Sequence, residues 1–254
     1  MNSKWLRCRF KRTKPSVYLI CFPWAGGGTS YYTGTWSKLF PEHVEVHSIC
    51  LPGREGRFKE PFLTEWTTLI SDLCDDIYNT LGQKHPFIFW GHSMGAVMCF
   101  EAARCLKTKH GIEPMHLLIS SASAPQVVRK SPRSIAEISN EQLADKIRNW
   151  GGTPQAILDN KEIMDISVRI LRADLTLVEN YRFIVEDSFV PVLSCPITCF
   201  DGKDDLRDQE GWSEMTTGHF VRHVLSGGHF YFMKNQDNEN QLVDIIKQSF
   251  PSNT

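Results

Sequence analysis

The sequence predicts an α/β fold in which a mostly parallel sheet is covered by helices on both faces. Short apolar runs alternate along the chain with segments of helical periodicity, and the middle runs are continuously apolar, as in strands buried on both faces. Hydrophobic residues make up 41% and charged residues 22% of the 254 residues, which is typical of a globular protein with a sizeable core. We expect a single domain over residues 1–254.

Six apolar runs are predicted to be strands, and three further segments helices. The strands are Val17–Phe22, Val44–Leu51, Phe87–Trp90, Leu117–Ser120, Ile197–Phe200 and Val221–Leu225. The helices are a segment from Trp66 to Ile77, which Gly82 is placed to end, together with Met94–Leu106 and Gln241–Phe250. No run approaches the roughly 18 apolar residues of a membrane-spanning helix. Lys plus Arg is 28 against 29 for Asp plus Glu, which argues against a nucleic-acid partner.

A segment from about residue 131 to residue 183 breaks the alternation of strands and helices. It is helical in pattern throughout and contains no strand candidate. Ser131 begins it, Pro132 and Pro154 punctuate it, and Trp150-Gly151-Gly152-Thr153-Pro154 marks a turn between helices. Such a block between two strands predicts a helical insertion, called the lid below, over one end of the sheet.

The cysteines predict a reducing compartment and no metal site. Cys21, Cys50 and Cys199 lie inside apolar runs, as buried reduced thiols do. Cys195 and Cys199 have no matching cluster of His or Cys residues, so a zinc site is not expected. The N-terminus lacks the apolar core of a signal peptide, and we therefore expect a cytoplasmic protein.

Gly91-His92-Ser93-Met94-Gly95 follows a predicted buried strand and precedes a predicted helix. In this context the G-x-S-x-G pattern forms a sharp turn that lifts the serine above the sheet. Side chains at positions 91 and 95 would meet neighbouring backbone in so tight a turn, so both positions need glycine. Ser93 is predicted to be a nucleophile at the positive end of a helix. The alternative is a Gly-Ser turn without chemistry.

A nucleophilic serine needs a histidine base and an acid that orients it, in the chain order Ser, acid, His for this kind of turn. His229 lies in a glycine loop after the last predicted strand. It is favoured as the base over His219 and His223, which lie before or within that strand. The neighbour of the nucleophile, His92, is expected to pack.

Three carboxylates compete for the role of the acid. Asp201, Asp204 and Asp205 all follow the strand that ends at Phe200. Asp205 is favoured because it lies three residues beyond the turn glycine Gly202, and the other two remain alternatives. A carboxylate without the role would be solvated or would cap a helix.

The developing negative charge needs backbone N–H donors. Met94, the residue after the nucleophile, is predicted to supply one. The loop after the first strand is predicted to supply the other, because the consecutive glycines Gly26, Gly27 and Gly28 let the backbone approach the reacting centre. The loop has no G-K-[ST] or G-x-G-x-x-G pattern, which disfavours phosphate binding. These residues together predict a serine hydrolase with a helical lid.

Several motifs resemble those of the type II thioesterases, over about residues 17 to 250. They are the residues at 21–28, 51–57, 91–95, 150–154, 172–174 and 227–230. The resemblance implies an α/β-hydrolase fold without a cofactor. It also implies a triad of Ser93, Asp205 and His229, with oxyanion donors at the amides of Met94 and Ala25.

The resemblance further implies hydrolysis of acyl thioesters carried on a phosphopantetheine arm. We expect a monomer that releases medium- to long-chain fatty acids from the acyl carrier protein domain of a fatty acid synthase. The alternatives are an acyltransferase or esterase of the same fold, or a non-catalytic acyl-binding protein.

The predicted helix between Glu162 and Asn180 carries two apolar rows. One row is Met164, Val168, Leu171, Leu175 and Val178, and the other is Ile163, Ile166, Ile170 and Leu177. One apolar stripe is enough to pack a surface helix. Ile166 and Ile170 are therefore predicted to line a channel for the acyl chain, and Trp24 is predicted to be a further substrate-binding residue. The alternative is a helix packed between two protein layers.

Overall fold

Seven strands form one sheet in this computed structural model, which describes residues 3–81, 85–127, 134–150, 153–183, 190–205 and 207–251. The strands are β1 (Leu6–Arg7), β2 (Val17–Phe22), β3 (Val44–Ile49), β4 (Phe87–His92), β5 (His116–Ser120), β6 (Ile197–Gly202) and β7 (Phe220–Leu225). Their order is β1-β3-β2-β4-β5-β6-β7, and β1 alone is antiparallel to its neighbour. The prediction of a mostly parallel sheet is confirmed.

The strand bounds differ from the predicted ones where pairing and hydrophobicity diverge. β6 extends two residues beyond the apolar run, because Asp201 and Gly202 still pair with Val224 and Leu225 of β7. β4 likewise extends through Gly91 and His92, which pair with β5. β1 was not predicted, since two residues are too few to show an alternating pattern.

Helices cover the sheet, and the predicted ones are present with altered ends. They are α1 (Ser30–Thr33), α2 (Trp66–Thr80), α3 (Met94–His110), α4 (Asn140–Trp150), α5 (Gln155–Leu158), α6 (Lys161–Asn180) and α7 (Gln236–Lys247). α7 begins five residues earlier than predicted, because the side chain of Asn235 accepts hydrogen bonds from two first-turn amides. The predicted end of α2 at Gly82 lies outside the described residues.

The sheet is buried on both faces, which explains the continuously apolar middle strands. Alternate residues of β4 point to opposite sides: Phe89 joins the core under α2 and α3, whereas Ile88 and Trp90 join the core under α7. Cys21 and Cys199 are fully buried free thiols, as predicted, and burial raises the pKa of both.

The described part of the lid consists of helices α4, α5 and α6 with one short turn before them. α4 and α6 pack through a small apolar cluster of Leu143, Ile147, Met164, Val168 and Leu171. Near its C-terminal end α6 joins the main core at Leu177. Ser131, Pro132, Gly151 and Gly152 lie outside the described residues. None of the described helices is long and apolar enough to cross a membrane.

Candidate active site

Ser93 lies in a tight turn between β4 and α3, with φ of 57° and ψ of −118°. Its amide donates to the Ser120 carbonyl at 2.8 Å, which fixes the turn on the neighbouring strand. A Cβ at Gly91 would lie 2.2 Å from the Gly95 carbonyl oxygen, and a Cβ at Gly95 would lie 2.3 Å from the Phe22 oxygen. The predicted steric need for both glycines is confirmed.

His229 and Asp205 are brought together by two loops that bind each other. His229 Nδ1 lies 2.8 Å from Asp205 Oδ2, and the Asp205 side chain is 7% exposed. The Asp204 amide donates to the Gly227 carbonyl at 2.9 Å. Gly202 allows this approach, because a Cβ there would lie 2.3 Å from the Gly228 oxygen. This contact is the acid–base hydrogen bond that the proposed roles require.

The competing candidates lie elsewhere. Asp201 is buried beside Arg222, at 3.7 Å, and Asp204 is exposed. His219 is exposed, and His223 stacks on Phe200. Of the three aspartates, Asp205 is the one hydrogen-bonded to His229.

Among the described residues, His229 has a hydrogen-bonding partner in Asp205 but none in Ser93. No hydrogen bond between described residues joins the Ser93 hydroxyl to His229. Such contacts are often long in ligand-free enzymes and tighten when substrate binds.

The pKa values of Asp201 and Asp205 are shifted in opposite directions. At Asp205 burial acts to raise the pKa, but the hydrogen bond from His229 and the positive charges of His229 and Arg207 outweigh it, so the pKa is lowered. At Asp201 burial, and then the charge of Asp205, raise the pKa to about 6. Asp205 is therefore ionised at neutral pH, as an orienting acid must be.

Asp201→Asn is expected to stabilise the fold at pH 8. The Asp201 pKa is raised to about 6 in the fold, so ionised Asp201 costs folding free energy above that pH, and the cost vanishes below the unfolded value near 4. The gain is roughly 3 kcal/mol at most and should shrink as the pH falls from 6 to 4. Urea unfolding of both proteins across this range measures it. A gain that stays constant with pH would contradict a raised Asp201 pKa.

Two backbone amides are available where the oxyanion donors are predicted. Met94 is the first residue of α3, and Ala25 lies half-buried in the loop after β2. No hydrogen bond between described residues uses either amide as a donor, whereas the neighbouring amides of Gly26 and Gly27 are both occupied. The loop thus leaves the Ala25 N–H free.

His92, beside the nucleophile, is buried and neutral. Burial lowers its pKa well below the usual value, followed by the charge of His229. Its Nδ1 lies 2.9 Å from Ser120 Oγ, which is in turn 2.9 Å from the Tyr231 hydroxyl. The His92 ring packs 4.8 Å from that of His229 and edge-on to Trp24. These contacts agree with the packing role expected for His92.

A cavity of about 430 Å³ lies between the glycine loop and the lid. Its walls include Trp24, Ala25, Gly26, Ile147, Trp150, Pro154, Ile157, Ser167, Leu171 and Phe230. A second cavity of about 390 Å³ contains His229 in its wall and shares Trp150 and Phe230 with the first. The two cavities are therefore adjacent, and the predicted base lies in the wall of the second.

Ile166 and Ile170, which are predicted to line an acyl channel, are not among the residues that line this cavity. α6 contributes Ser167 and Leu171 instead, and both isoleucines are half-buried elsewhere on the helix. The row that contains Leu171 serves both the contact with α4 and the cavity wall. Trp24 does line the cavity.

Two charged residues of the site were not assigned a role from the sequence. Arg54 and Asp174 form a buried ion pair beneath the glycine loop, with the nearest N–O distance 2.5 Å. Both lie in motifs that carry the family resemblance. Because the two residues are 120 positions apart, nothing in the local sequence shows that they meet. Arg54 follows Gly53 and Asp174 follows Ala173, and a charged residue beside so small a neighbour was a signal that could have marked both as candidates.

One group of described residues could share a metal ion, and it lies at the β1 edge of the sheet. Cys8, Glu45 and His47 have potential ligand atoms within 4.8 Å of one another. His47 Nε2 already lies 2.8 Å from Glu45 Oε1, and the Arg12 amide donates to the other carboxylate oxygen at 2.6 Å. The carboxylate therefore already has protein partners.

Comparisons with known proteins agree with this geometry. A thioesterase-domain family model matches residues 18–250. The chain is 36% identical to the medium-chain S-acyl fatty acid synthase thioesterase of Rattus norvegicus, over 96% of this chain and 92% of the relative. It is 34% identical to the gramicidin S biosynthesis protein GrsT of Aneurinibacillus migulanus, over 92% and 90%. The solved type II thioesterase BorB, from the borrelidin biosynthetic cluster, superposes with a TM-score of 0.80 at 29% identity, over 98% of this chain and 99% of BorB. The chain therefore belongs to the thioesterase family, as a type II thioesterase with an α/β-hydrolase fold.

Proposed function

We propose that this thioesterase hydrolyses medium- to long-chain fatty acyl thioesters on the phosphopantetheine arm of an acyl carrier protein domain of a fatty acid synthase. The main support is the pair of adjacent cavities that share Trp150 and Phe230 as wall residues. The first is lined mainly by apolar side chains and the glycine loop, with Ser30, Glu55, Thr153 and Ser167 as polar parts of its wall, and it suits an acyl chain. The second contains His229 and suits the pantetheine arm.

The proposed reaction is acyl transfer to Ser93 followed by hydrolysis. His229 takes the Ser93 proton as the oxygen attacks the thioester carbonyl, and Asp205 holds the imidazole with Nδ1–H directed at its carboxylate. The amides of Met94 and Ala25 stabilise the oxyanion. The carbon–sulfur bond then breaks and the pantetheine thiol leaves with the proton. Water, deprotonated by His229, releases the fatty acid and restores Ser93.

The similarity to animal fatty acid synthase thioesterases supports a fatty acyl substrate, whereas the related GrsT is a gramicidin S biosynthesis protein. We infer a cytoplasmic location from the eight free cysteines, because such thiols persist in reducing compartments. The two cavities are completed within one chain, so we propose that the monomer is active.

A hydrolysis profile across acyl lengths tests the function. Acyl carrier proteins loaded with butyryl to stearoyl groups, and the matching acyl-CoA thioesters, are incubated with the protein, and free acid and thiol are quantified. We expect the fastest release for medium or long chains and faster turnover on the carrier. Stoichiometric acyl transfer to an added alcohol would indicate an acyltransferase. Binding without turnover and without labelling by a fluorophosphonate would indicate a non-catalytic protein.

Ser167→Phe is expected to shorten the preferred acyl chain. Ser167 lines the first cavity on α6, and its hydroxyl donates only to the Ile163 carbonyl, so a phenyl ring would fill chain space without breaking a tertiary contact. Each buried methylene contributes about 0.8 kcal/mol, so the loss of two or three should lower kcat/KM for a palmitoyl substrate roughly 15- to 60-fold. Butyryl turnover should be unchanged.

Ile166→Phe is the matched control, since Ile166 is the preceding residue, is half-buried and does not line the cavity. It should leave the length profile as it is in the natural protein. A shift of the preferred chain length in this control, with none in Ser167→Phe, would support an acyl channel lined by Ile166 and Ile170, as the sequence predicts.

A further inference from the structure

We propose that Arg54 and Asp174 are positioning residues that hold the glycine loop so that the Ala25 amide points at the oxyanion. This inference deepens the proposed function and rests on it for the role of Ala25. Arg54 comes from the loop after β3, whereas Asp174 comes from α6 in the lid. The lid would therefore help to build the oxyanion hole as well as cover the substrate.

The pair is bidentate and buried. Arg54 Nη1 donates to Asp174 Oδ2 at 2.8 Å, and Nη2 donates to Oδ1 at 2.5 Å. The two side chains are each 4% exposed. Two parallel charge-assisted bonds fix the relative orientation of both groups as well as their distance.

Both members of the pair also bind the backbone of the glycine loop. The Gly26 amide donates to Asp174 Oδ2 at 2.7 Å, and Arg54 Nη1 donates to the Gly27 carbonyl at 2.9 Å. The Gly26 amide belongs to the same peptide plane as the Ala25 carbonyl. Holding that plane fixes the rotation of the backbone on the C-terminal side of Ala25.

The loop needs such a restraint because of its sequence. Three consecutive glycines lose more conformational freedom on ordering than any other residues would, and Gly26 has φ of +82°. An oxyanion donor must nevertheless be aimed accurately at the developing charge before the reaction. The next residue after Arg54, Glu55, restrains the far end of the loop by accepting from the Thr29 amide at 2.8 Å and the Thr29 hydroxyl at 2.7 Å.

Stability alone is a poor explanation for this pair. Two buried charges lose their hydration, and apolar side chains of similar size often stabilise a fold as well or better. In the described part of the chain Arg54 Nε is also buried without a partner. A pair that only stabilised the packing would not need a carboxylate shared between a guanidinium and a loop amide. A pair that orients the glycine loop does need that shared carboxylate.

The decisive variant replaces both charges, as Arg54→Met with Asp174→Leu. It removes the pair without leaving one charge buried alone, so thermal stability should stay near that of the natural protein. The hydrogen bonds to Gly26 and Gly27 are lost, and we expect kcat to fall about 10²- to 10³-fold, as for the loss of one oxyanion donor, with KM changed only a few-fold. Affinity for an alkyl boronic acid, which mimics the tetrahedral intermediate at the serine, should fall in parallel.

The neighbouring pair of Arg57 and Glu60 provides the matched control. Arg57 is also buried and bidentate, at 2.8 and 2.7 Å, but its remaining bond goes to the Cys50 carbonyl and not to the glycine loop. Arg57→Met with Glu60→Leu should keep kcat within a few-fold. If the first double variant folds and retains kcat within a few-fold, the positioning role is wrong.

A single variant keeps the inference testable if the double variant does not fold. Asp174→Asn retains an oxygen acceptor but loses the charge and presents N–H groups to Arg54, so we expect kcat to fall at least about tenfold. Unchanged kcat in this variant would overturn the inference.

Failure of the proposed function is seen separately, as absent fatty acyl hydrolysis by the natural protein. The comparison of variants then uses p-nitrophenyl acetate, whose hydrolysis at Ser93 would need the same donor.

Discussion

Ser93→Ala is expected to lower thioester hydrolysis by about 10⁴- to 10⁶-fold and to abolish labelling by a fluorophosphonate probe. The variant keeps the cavities and the oxyanion donors but has no oxygen to form the acyl-enzyme, so only the catalysis that those features supply would remain. Released pantetheine thiol measures the rate, and mass spectrometry of the probe-labelled protein locates the modified residue.

Ser167→Ala is the control, because it removes a serine hydroxyl from the wall of the first cavity, and that hydroxyl binds only within α6. It should hydrolyse and label nearly as the natural protein does. Thermal melting should show both variants folded, since alanine can occupy the turn with no more strain than serine at φ of +57°. Hydrolysis above about one per cent in Ser93→Ala, with a folded protein, would remove Ser93 from the proposed mechanism.

The sheet and the nucleophile turn could be predicted because their signals are local. A continuously apolar strand such as Phe87–Trp90, followed by two glycines that flank a serine, carries its own steric argument, and the structure reproduces the clash at both glycines. β1 lacked such a signal, because its two residues are ordered by antiparallel pairing with β3.

The lining of the cavity could not be predicted from periodicity. Both apolar rows of α6 are compatible with either packing or substrate contact, and the choice depends on where α4 lies. α4 packs on the row that contains Leu171, and the same face of α6 borders the cavity through Ser167. The Arg54–Asp174 ion pair could not be predicted for a similar reason, since its members meet only when the lid is in place.

The choice among the three aspartates also depends on tertiary contacts that the local sequence does not show. Asp201 lies near the end of β6, and Asp204 and Asp205 lie just after that strand, so their order along the chain does not say which side chain turns toward His229. That direction is set by the close approach of Gly202 to the Gly228 carbonyl and by the bond from the Asp204 amide to Gly227. These contacts join two loops that are more than twenty residues apart in sequence.

Asp205→Asn is expected to lower kcat by about 10⁴-fold with little change in KM. The amide keeps the size of the carboxylate but can offer its N–H₂ to His229 Nδ1, which favours the tautomer with its proton on the nitrogen that must act as the base. Because the Asp205 pKa is lowered by its bond to His229, the loss should persist undiminished from pH 6 to pH 8. Asp201→Asn, four residues earlier in β6, makes the same chemical change at a residue that has no hydrogen bond to the His229 side chain, and should lower kcat less than about tenfold. Rates of thiol release for the two variants decide between the two carboxylates. A larger loss of kcat in Asp201→Asn would assign the role of the acid to Asp201. A loss of kcat in Asp205→Asn that disappears at high pH would mean that another group orients His229.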